Sequence, residues 1–382
     1  MDKFIPYGKQ FIDDSDIEAV IKTLKSDYLT QGPAIEEFEK SICEYTGAKY
    51  CVAVCNGTAA LHISVKALDI QSTSEGITTP NTFVASSNCL VYNNIKPVFA
   101  DINEKTYNID PYEVQKRITP KTKVIIPVHF AGQPADMEKI EKISRTKGIY
   151  IIEDASHALG SKYKCGLKVG ACKYSDMTVF SFHPVKTITT GEGGAITTND
   201  EMLYKKLRML RTHGITKEGL SYNPGPWYYE MQDLGFNYRM TDIQASLGTS
   251  QIKRIDDFIR RRREIIDRYN ENFEELDWLI IPYQEDGVFC ALHLYVLKID
   301  FTKIGKTRKQ VMEELKETHI GTQVHYIPVH IQPFYVNTFG YKYGDYPRTE
   351  KYYEQALSIP LYPKMTDHDV EWVIKNIKGL KR

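Results

Sequence analysis

The chain has 382 residues, which is more than one compact core usually supports, so two domains are expected. Its 49 basic and 49 acidic residues give a formal net charge of zero, and 42% of its residues are hydrophobic. These values are typical of a globular protein and provide no basis for bulk attraction to nucleic acid or to an anionic membrane surface.

Apolar runs alternate with helical patterns from the first helix to about residue 212. The segment from Ser15 to Glu18 predicts a capping box at the start of that helix, and four apolar residues from Ile17 to Leu24 mark one helix face. Seven strand-like runs follow, at residues 50–54, 76–79, 97–100, 123–128, 149–152, 178–182 and 195–198. Helical patterns lie between most of them, at residues 58–68, 83–93, 111–118, 136–147 and 200–212. This alternation predicts an α/β fold with a doubly wound, mostly parallel seven-stranded sheet and helices on both faces.

The pattern changes after Gly248. Apolar residues at three- and four-residue steps from Ile252 to Phe273 predict one long helix, and its run Arg260–Arg263 is interpreted as a solvated face because acidic residues flank it. A strand, a helix, a short strand and a final helix are then predicted, at residues 292–299, 307–317, 323–326 and 367–377. We therefore predict a large domain at residues 1–248, and a connecting helix with a smaller C-terminal α+β domain at residues 249–382.

The sequence also predicts where the protein is located. No stretch approaches the length of a transmembrane helix, and residues 1–6 lack the apolar core of a signal peptide, so we expect a cytoplasmic protein. The seven cysteines form no Cys-x-x-Cys pair, and several have apolar neighbours. This usage favours reduced, packed thiols, and we expect no zinc or other metal site.

Lys186 lies at the centre of the most informative segment. The residues before it predict a buried strand, and the glycines and threonines that follow, as far as Gly194, predict a tight loop. Low-dielectric surroundings disfavour the charged form of a lysine, so a lysine held there has a lowered pKa and a nucleophilic amine. Such a lysine can form a Schiff base with a cofactor aldehyde, whereas an isolated lysine is usually a solvated surface residue.

The turn at Asn56-Gly57-Thr58 is a candidate phosphate site. A strand ends there in a turn that opens a helix, where free amides and the helix dipole bind phosphate well. Ser181, five residues before Lys186, is a candidate further donor. A simple helix cap is the alternative interpretation, because many strand–helix turns use Gly and Thr in that way.

Glu153 and Asp154 end a predicted apolar strand, and only one of them can point into a site because adjacent strand residues face opposite ways. A carboxylate at this point can keep a pyridine nitrogen protonated and make the ring a better electron sink, and we assign this role to Asp154. Phe83 follows a strand at the expected cleft and can stack on a cofactor ring. A solvated helix-capping acid and an ordinary core aromatic are the alternatives. Together with Lys186, these features predict pyridoxal 5'-phosphate as the cofactor.

The motifs Gly57–Leu61, Glu153–Gly160 and Ser181–Gly194 resemble those of the DegT/DnrJ/EryC1/StrS family of nucleotide-sugar aminotransferases, and the resemblance covers essentially the whole chain. It implies a fold-type-I enzyme that uses pyridoxal 5'-phosphate. Four passages are similar to the aminotransferases of pseudaminic acid biosynthesis, at residues 5–10, 28–33, 234–244 and 324–330. This similarity implies transfer of an amino group from L-glutamate to C4 of a UDP-linked 4-keto-6-deoxy-N-acetyl-hexosamine with the L-altro configuration.

The resemblance also implies roles for individual residues. Lys186 matches the Schiff-base lysine, Asp154 the partner of the pyridinium nitrogen, and His157 a residue near the ring hydroxyl. Asn237 matches an asparagine that reaches the cofactor phosphate of the other subunit, which implies a homodimer with shared active sites. The residues that match phosphate ligands or the ring-stacking aromatic are Gly57, Thr58, Ser181 and Phe83. The residues that match substrate-contacting segments are Tyr7, Tyr28, Leu29, Thr30, His325 and Tyr326.

Other functions remain open at this point. A related aminotransferase can act on a D-gluco 4-keto sugar, or on a 3-keto sugar. A pyridoxal-dependent sugar dehydratase is disfavoured, because dehydratases of the family carry histidine at the position of Lys186. A non-catalytic sensor or scaffold would keep the fold without transferring an amine. The roles of His183 and His330 also stay open between structural hydrogen bonds and ligand contacts.

Overall fold

The computed structural model describes residues 3–381, so Met1, Asp2 and Arg382 lie outside the described residues. The strands of the large sheet are β1 (Tyr50–Val54), β2 (Glu75–Thr78), β3 (Lys96–Phe99), β4 (Thr122–Ile126), β5 (Tyr150–Asp154), β6 (Met177–Ser181) and β7 (Gly194–Thr198). They lie in the order β1-β7-β6-β5-β4-β2-β3, and neighbouring strands are parallel except where β7 pairs with β1 and β6. The prediction of a mostly parallel, seven-stranded sheet is therefore confirmed.

Helices cover both faces of this sheet. They are α2 (Pro33–Thr46), α3 (Gly57–Ala67), α4 (Ala85–Tyr92), α5 (Pro111–Arg117), α6 (Met137–Arg145), α7 (Glu201–Arg211) and α8 (Asp242–Ile252), and α1 (Asp14–Leu24) packs on α8. Successive strand residues point to opposite faces, so the two faces build separate apolar layers. Ile151 of β5 packs in the layer that contains residues of α2, α6 and α8, and Ile152 packs in the layer that contains residues of α3, α4 and α7. This arrangement is the doubly wound architecture expected from the sequence.

The C-terminal region begins with α9 (Ile255–Phe273) and has a sheet of its own. A short hairpin, β8 (Ile215–Thr216) with β9 (Glu230–Met231), precedes it in the chain. The second sheet is antiparallel and consists of β10 (Leu279–Ile280), β11 (Tyr295–Ile299) and β12 (Ala356–Ile359). The helices of this region are α10 (Arg308–Glu317), α11 (Pro333–Phe339), α12 (Pro347–Gln355) and α13 (Asp367–Lys378). The region is α+β as predicted, while the division of domains at residue 248 remains a prediction.

The predictions for α1 need correction. Asp13, not Ser15, caps the helix, because its carboxylate accepts hydrogen bonds from the amides of Ser15 and Asp16, and Asp16 accepts one from the Asp13 amide. An aspartate two residues earlier thus takes the position that the sequence pattern gave to the serine. The apolar face is present, but Ile17 and Leu24 are 48% and 55% exposed. Residues 3–381 of this chain therefore leave that face largely uncovered.

The predicted long helix is interrupted, since α8 ends at Ile252 and α9 begins at Ile255. The solvated-face interpretation of the arginine run is wrong for Arg262, which is only 1% exposed. Its Nη1 donates hydrogen bonds to the carbonyl oxygens of His293 at 3.2 Å and Leu361 at 2.8 Å. Burial lowers the pKa of Arg262 to about 10. This face of α9 is buried against the C-terminal region, which a run of charges in the sequence does not reveal.

Two smaller differences concern the C-terminal region. The predicted short strand at residues 323–326 is reduced to a single bridge between Gln323 and Ser358, and β11 starts at Tyr295 rather than at residue 292. The elements absent from the sequence predictions are helices α2, α11 and α12 and strands β8, β9, β10 and β12. Among residues 3–381, no helix combines the length and the apolar composition needed to cross a membrane.

Candidate active site

A cavity of about 680 Å³ lies at the edge of the large sheet where strands β1, β2, β4, β5 and β6 end. Segments that follow these strands, with the first turns of α3 and α4, form one wall, and residues 323–327 with His293 contribute the opposite wall. Ligands of doubly wound sheets bind at this edge, so the sheet topology places a site here before any side chain is considered.

The structure brings most of the predicted site residues together. Those that line the cavity are Tyr7, Gly57, Thr58, Phe83, Asp154, His157, Ser181, Lys186, His325 and Tyr326. Four predicted residues do not line it, namely Tyr28, Leu29, Thr30 and Asn237. The residues that line the cavity are far apart in the sequence, and they lie close together because the strands that precede them end at the same edge of the sheet. Their individual roles stay predictions.

Lys186 follows β6 in the loop 182–193 and is partly buried. Burial lowers its pKa to about 8, because the effect of lost hydration exceeds the opposing effect of the nearby Asp154 carboxyl. No carboxylate of residues 3–381 lies within ion-pair distance of its Nζ. A large fraction of the amines is therefore neutral and nucleophilic near pH 8, as the sequence analysis expects of a lysine in this position.

Asp154 ends β5 and is 5% exposed at the cavity wall. Its Oδ2 accepts a hydrogen bond from Ser86 Oγ at 2.6 Å, and its Oδ1 accepts bonds from the amide and the Oγ of Ser156 at 3.1 and 2.7 Å. These bonds fix the orientation of the carboxyl group, and no basic side chain of residues 3–381 lies within ion-pair distance of it. The carboxyl group is thus available to accept a hydrogen bond from a protonated nitrogen of a ligand.

The start of α3 forms a cradle for an anion. Asn56 caps the helix by accepting the Ala59 amide at 2.8 Å, and the amides of Gly57 and Thr58 in the first turn have no acceptor within the helix. A Cβ atom built on Gly57 would lie 3.0 Å from Ser181 Cβ and 3.3 Å from Ser181 Oγ. The glycine therefore keeps open a gap in which a phosphate can meet two amides and a hydroxyl.

Phe83 and His157 flank the remaining space. Phe83 is 58% exposed, so its ring is open to a stacking partner rather than packed in the core. His157 is buried, and its Nε2 shares a hydrogen bond of 3.0 Å with Tyr326 Oη while its Nδ1 has no partner among the described residues. Burial, followed by the influence of Lys186 and His325, holds the pKa of His157 well below its usual range. A neutral imidazole with a free nitrogen can hydrogen-bond a ligand hydroxyl.

Two residues of the site were missed by sequence reasoning. His293 lines the cavity, with its ring centroid 4.4 Å from that of His157 and its Nδ1 without a partner in residues 3–381. Burial lowers the pKa of His293 well below its usual range. A histidine inside the apolar run 291–297 was the available signal. Ser86, which orients Asp154, lies four residues after Thr82 on the first turn of α4 and gives no comparable signal.

The outcome for the other predicted residues is mixed. Tyr28, Leu29 and Thr30 are exposed in the segment between α1 and α2, and Asn237 is exposed where it bridges Thr212. His183 lines the cavity and is exposed. His330, in contrast, is fully buried outside the cavity, and its Nε2 lies 2.9 Å from Oε1 of Glu350, which supports the structural interpretation of this residue.

The cavity therefore contains groups that fit pyridoxal 5'-phosphate. The neutral amine of Lys186 suits the cofactor aldehyde, the carboxyl of Asp154 suits the ring nitrogen, and the cradle at Gly57 suits the phosphate. The exposed face of Phe83 and the free nitrogen of His157 suit the ring and its hydroxyl.

Comparison with known proteins agrees with this geometry. An uncharacterized protein of Methanocaldococcus jannaschii is 47% identical over 381 residues, covering 99% of this chain and 98% of that protein. The spore coat polysaccharide biosynthesis protein SpsC of Bacillus subtilis is 43% identical over 380 residues, covering 99% of this chain and 97% of that protein.

Solved structures match over the same extent. PseC of Helicobacter pylori, an aminotransferase involved in the biosynthesis of pseudoaminic acid, has a TM-score of 0.93 at 31% identity and covers 99% of each chain. Spr1654 of Streptococcus pneumoniae, solved in PMP and PLP forms, has a TM-score of 0.91 at 30% identity in both forms. Residues 10–378 match the DegT/DnrJ/EryC1/StrS aminotransferase family. The chain belongs to this family, and it is a sugar aminotransferase that uses pyridoxal 5'-phosphate.

Proposed function

We propose that the protein is a cytoplasmic homodimer that transfers the amino group of L-glutamate to C4 of a UDP-linked 4-keto-6-deoxy-N-acetyl-hexosamine. The product would be the L-altrosamine derivative of the pseudaminic acid pathway. The observation that carries the transfer chemistry is the meeting of Lys186 and Asp154 in one cavity. Similarity to PseC over 99% of both chains supports this acceptor, since PseC is an aminotransferase of that biosynthesis.

In this proposal, each side chain has a defined task. When bound, pyridoxal 5'-phosphate supplies an aldehyde that takes up the amino group and a ring that accepts the electron pair released at Cα. Lys186 removes the Cα proton of L-glutamate and later delivers a proton to C4 of the sugar. One water supplies the keto oxygen of the 2-oxoglutarate that leaves, and the keto oxygen of the sugar is released as water. Asp154 holds the proton on the ring nitrogen, and the serine bonds to its carboxyl keep it in place.

The remaining cavity residues bind and orient. The amides of Gly57 and Thr58 and the hydroxyl of Ser181 hold the phosphate, and Phe83 stacks on the ring. His157 hydrogen-bonds the ring hydroxyl through its free Nδ1. We assign the residues of the opposite wall and the N-terminal arm to the sugar, namely Tyr7, His325 and Tyr326.

A second candidate is an aminotransferase for a different nucleotide keto-sugar, such as the D-gluco 4-keto sugar or a 3-keto sugar. The observation that favours it is the identity of 43% with SpsC, a polysaccharide biosynthesis protein, compared with 31% for PseC. A shared fold and cofactor chemistry do not distinguish these acceptors, because the same site can serve several sugars.

The purified protein with pyridoxal 5'-phosphate and L-glutamate should therefore be offered the UDP-linked L-altro 4-keto sugar beside its D-gluco epimer at C5 and a 3-keto sugar. Amine formation is followed by mass spectrometry. Conversion of the L-sugar alone supports the first proposal, and preference for the D-sugar or the 3-keto sugar supports the second. If 2-oxoglutarate appears with L-glutamate but no sugar reacts, the donor assignment stands and all three acceptors are wrong.

The homodimer with shared sites is supported by residues that lie outside their own cavity. Asn237 and the segment 28–30 are exposed, as are apolar side chains of α1 and of the hairpin region, including Trp227 at 70% and Leu234 at 67%. We propose that a second copy of the chain covers these residues and that Asn237 reaches the cofactor phosphate of the partner subunit.

Mixing two inactive variants tests this assembly. In a mixed dimer of Lys186→Ala and Asn237→Ala chains, one site carries both changes and the other carries neither. We expect about one quarter of the wild-type number of sites to recover after the two variants are unfolded together and refolded. No recovery, although each variant refolds alone, would contradict shared sites.

A further inference from the structure

Glu153 lies one residue before Asp154 on β5 and therefore points to the opposite face of the sheet. Asp154 faces the cavity, whereas Glu153 is 0% exposed in the interior. A fully buried acid is rare unless it is paired, so the surroundings of Glu153 need an explanation.

Four donors surround the Glu153 carboxyl group. Its Oε2 accepts hydrogen bonds from Tyr163 Oη at 2.5 Å and His129 Nε2 at 2.7 Å. Its Oε1 accepts bonds from Ser175 Oγ at 2.5 Å and Thr178 Oγ1 at 3.1 Å. Each oxygen thus receives two bonds, which uses the acceptor capacity of an ionised carboxylate in full.

The direction of the His129 bond follows from its other nitrogen. His129 Nδ1 accepts the amide of Ala135 at 2.9 Å, so the hydrogen that faces Glu153 is on Nε2. The same histidine is joined to the cofactor wall, because its backbone amide donates to the carbonyl oxygen of Asp154 at 3.1 Å. The cluster around Glu153 and the strand end that carries Asp154 are therefore one connected unit.

Glu153 is ionised in this cluster. Burial alone would raise its pKa, but the hydrogen bond and the electrostatic influence of His129, together with the hydrogen bonds from Ser175 and Tyr163, outweigh burial and leave the pKa below its usual value. The titratable groups that face it are His129, Tyr163 and Cys172, and burial raises the pKa of Tyr163 well above its usual value and that of Cys172 to about 12. No lysine or arginine of residues 3–381 lies within ion-pair distance of it.

The interior thus carries a negative charge whose partners are three hydroxyl groups and one imidazole, and the imidazole is neutral in this geometry because its Nδ1 accepts the Ala135 amide. A purely structural role does not require this charge, because three of the four donors are hydroxyl groups that can turn to accept a bond from a neutral amide. The charge acts over distance, since few mobile charges or waters screen it in the interior.

We propose that Glu153 is a positioning residue of the cofactor site, whose buried negative charge acts through Asp154 to hold the proton on the ring nitrogen of the cofactor. This inference rests on the cofactor site proposed above. A ring nitrogen held by Asp154 would be under the influence of two negative charges, that of Asp154 at the cavity and that of Glu153 on the other face of β5. At an effective dielectric constant of about 20, a unit charge roughly 10 Å from a protonated group shifts its proton affinity by about one pH unit, so the charge of a neighbouring strand residue is large enough to measure.

The test compares Glu153→Gln with Tyr163→Phe in the enzyme loaded with isotope-labelled pyridoxal 5'-phosphate. The nitrogen NMR shift of the cofactor ring reports directly whether the ring nitrogen is protonated, and it is titrated with pH. In Glu153→Gln we expect the midpoint of deprotonation to fall by about one pH unit. Tyr163→Phe removes one donor but keeps the charge, so we expect a lower melting temperature with an unchanged midpoint.

An unchanged midpoint in Glu153→Gln, or an equal shift in both variants, overturns the proposal in favour of a structural role. Neutron diffraction from the wild-type holoenzyme keeps the test valid if Glu153→Gln does not fold. It must show a deuterium on the ring nitrogen and none on Glu153, and a deuterium on Glu153 overturns the proposal. If the wild-type protein binds no pyridoxal 5'-phosphate at this cavity, the cofactor site itself is wrong, which is a separate outcome.

Discussion

The two walls of the cavity are built in different ways. On the sheet wall, Asp154 is the last residue of β5, and Gly57 and Lys186 lie in the segments that follow β1 and β6, so the order of the strands in the sheet brings them together. The opposite wall carries His293, His325 and Tyr326, which depend on side-chain contacts such as the bond of 2.7 Å between His325 Nδ1 and Ser358 Oγ.

The walls also differ in charge. The sheet wall presents an amine and a carboxyl group, whereas burial lowers the pKa of His325 to about 3 and that of His293 well below its usual range, so the opposite wall is neutral. A neutral wall of hydrogen-bonding groups suits a polar sugar, and the charged wall suits proton transfer and the cofactor. We therefore expect changes on the sheet wall to slow both half-reactions, and changes on the opposite wall to slow only the transfer to the sugar.

Lys186→Ala should have the largest effect. The change removes the base of both half-reactions, so we expect the rate of each to fall by at least about 10⁴-fold. Stopped-flow absorbance of the cofactor measures the donor half-reaction, and mass spectrometry of the amino sugar measures the acceptor half-reaction. Lys173→Ala, a change at an exposed lysine before β6, serves as the control. If Lys186→Ala keeps the rate of the donor half-reaction, Lys186 is not the base of both half-reactions and the proposed role of the sheet wall is wrong.

Asp154→Asn should have the next largest effect. The amide keeps the size of the side chain and can still accept from Ser86, but it removes the charge that holds the ring proton. We expect both half-reactions to slow by about 10²–10³-fold with little change in melting temperature. Cofactor absorbance and thermal unfolding are measured on the same samples. Slowing confined to the acceptor half-reaction would contradict the division between the walls.

The pH dependence of cofactor uptake tests whether the amine of Lys186 on the sheet wall is neutral near pH 8. Only the neutral amine of Lys186 attacks an aldehyde, and burial lowers its pKa to about 8 from an ordinary value above 10. In the cofactor-free protein we expect the rate of covalent uptake to rise about tenfold per pH unit below pH 8 and to level off above it. A rate that still rises steeply above pH 9 would mean that the amine is not desolvated.

The difference between the walls also explains how much the sequence predicted. The carboxyl ends of parallel strands lie at one edge of a sheet. The strand boundaries alone therefore predicted that Lys186, Asp154 and the turn at Gly57 lie close together. His293 was missed because its place depends on how α9 and the second sheet pack against the first, and no local pattern encodes that packing. Arg262 was misread for the same reason, since a run of charges does not show which side of a helix is covered.

Helix boundaries show the same limit on a smaller scale. Helix α2 was not predicted, although a proline at its start, Pro33, and a glycine after its last residue, Gly47, are typical of helix ends. Gly47 adopts the positive φ that favours glycine at this position. The capping of α1 by Asp13 is local chemistry that the pattern placed two residues too late. Tyr28, Leu29, Thr30 and Asn237 lie outside the cavity, so the packing of residues 3–381 does not bring them to the site that the sequence predicts for them.

Tyr326→Phe should have the smallest effect and isolates the opposite wall. The change removes the hydroxyl that shares a bond of 3.0 Å with His157 Nε2, and it leaves the aromatic ring in place. We expect the acceptor half-reaction to slow by about five- to tenfold, the loss of one hydrogen bond, while the donor half-reaction is unchanged. Single-turnover rates with L-glutamate and with the keto-sugar are compared, and Tyr343→Phe, at an exposed tyrosine away from the cavity, is the control. Equal slowing of both half-reactions would mean that Tyr326 acts on the cofactor through His157, and the two walls would then form one functional unit.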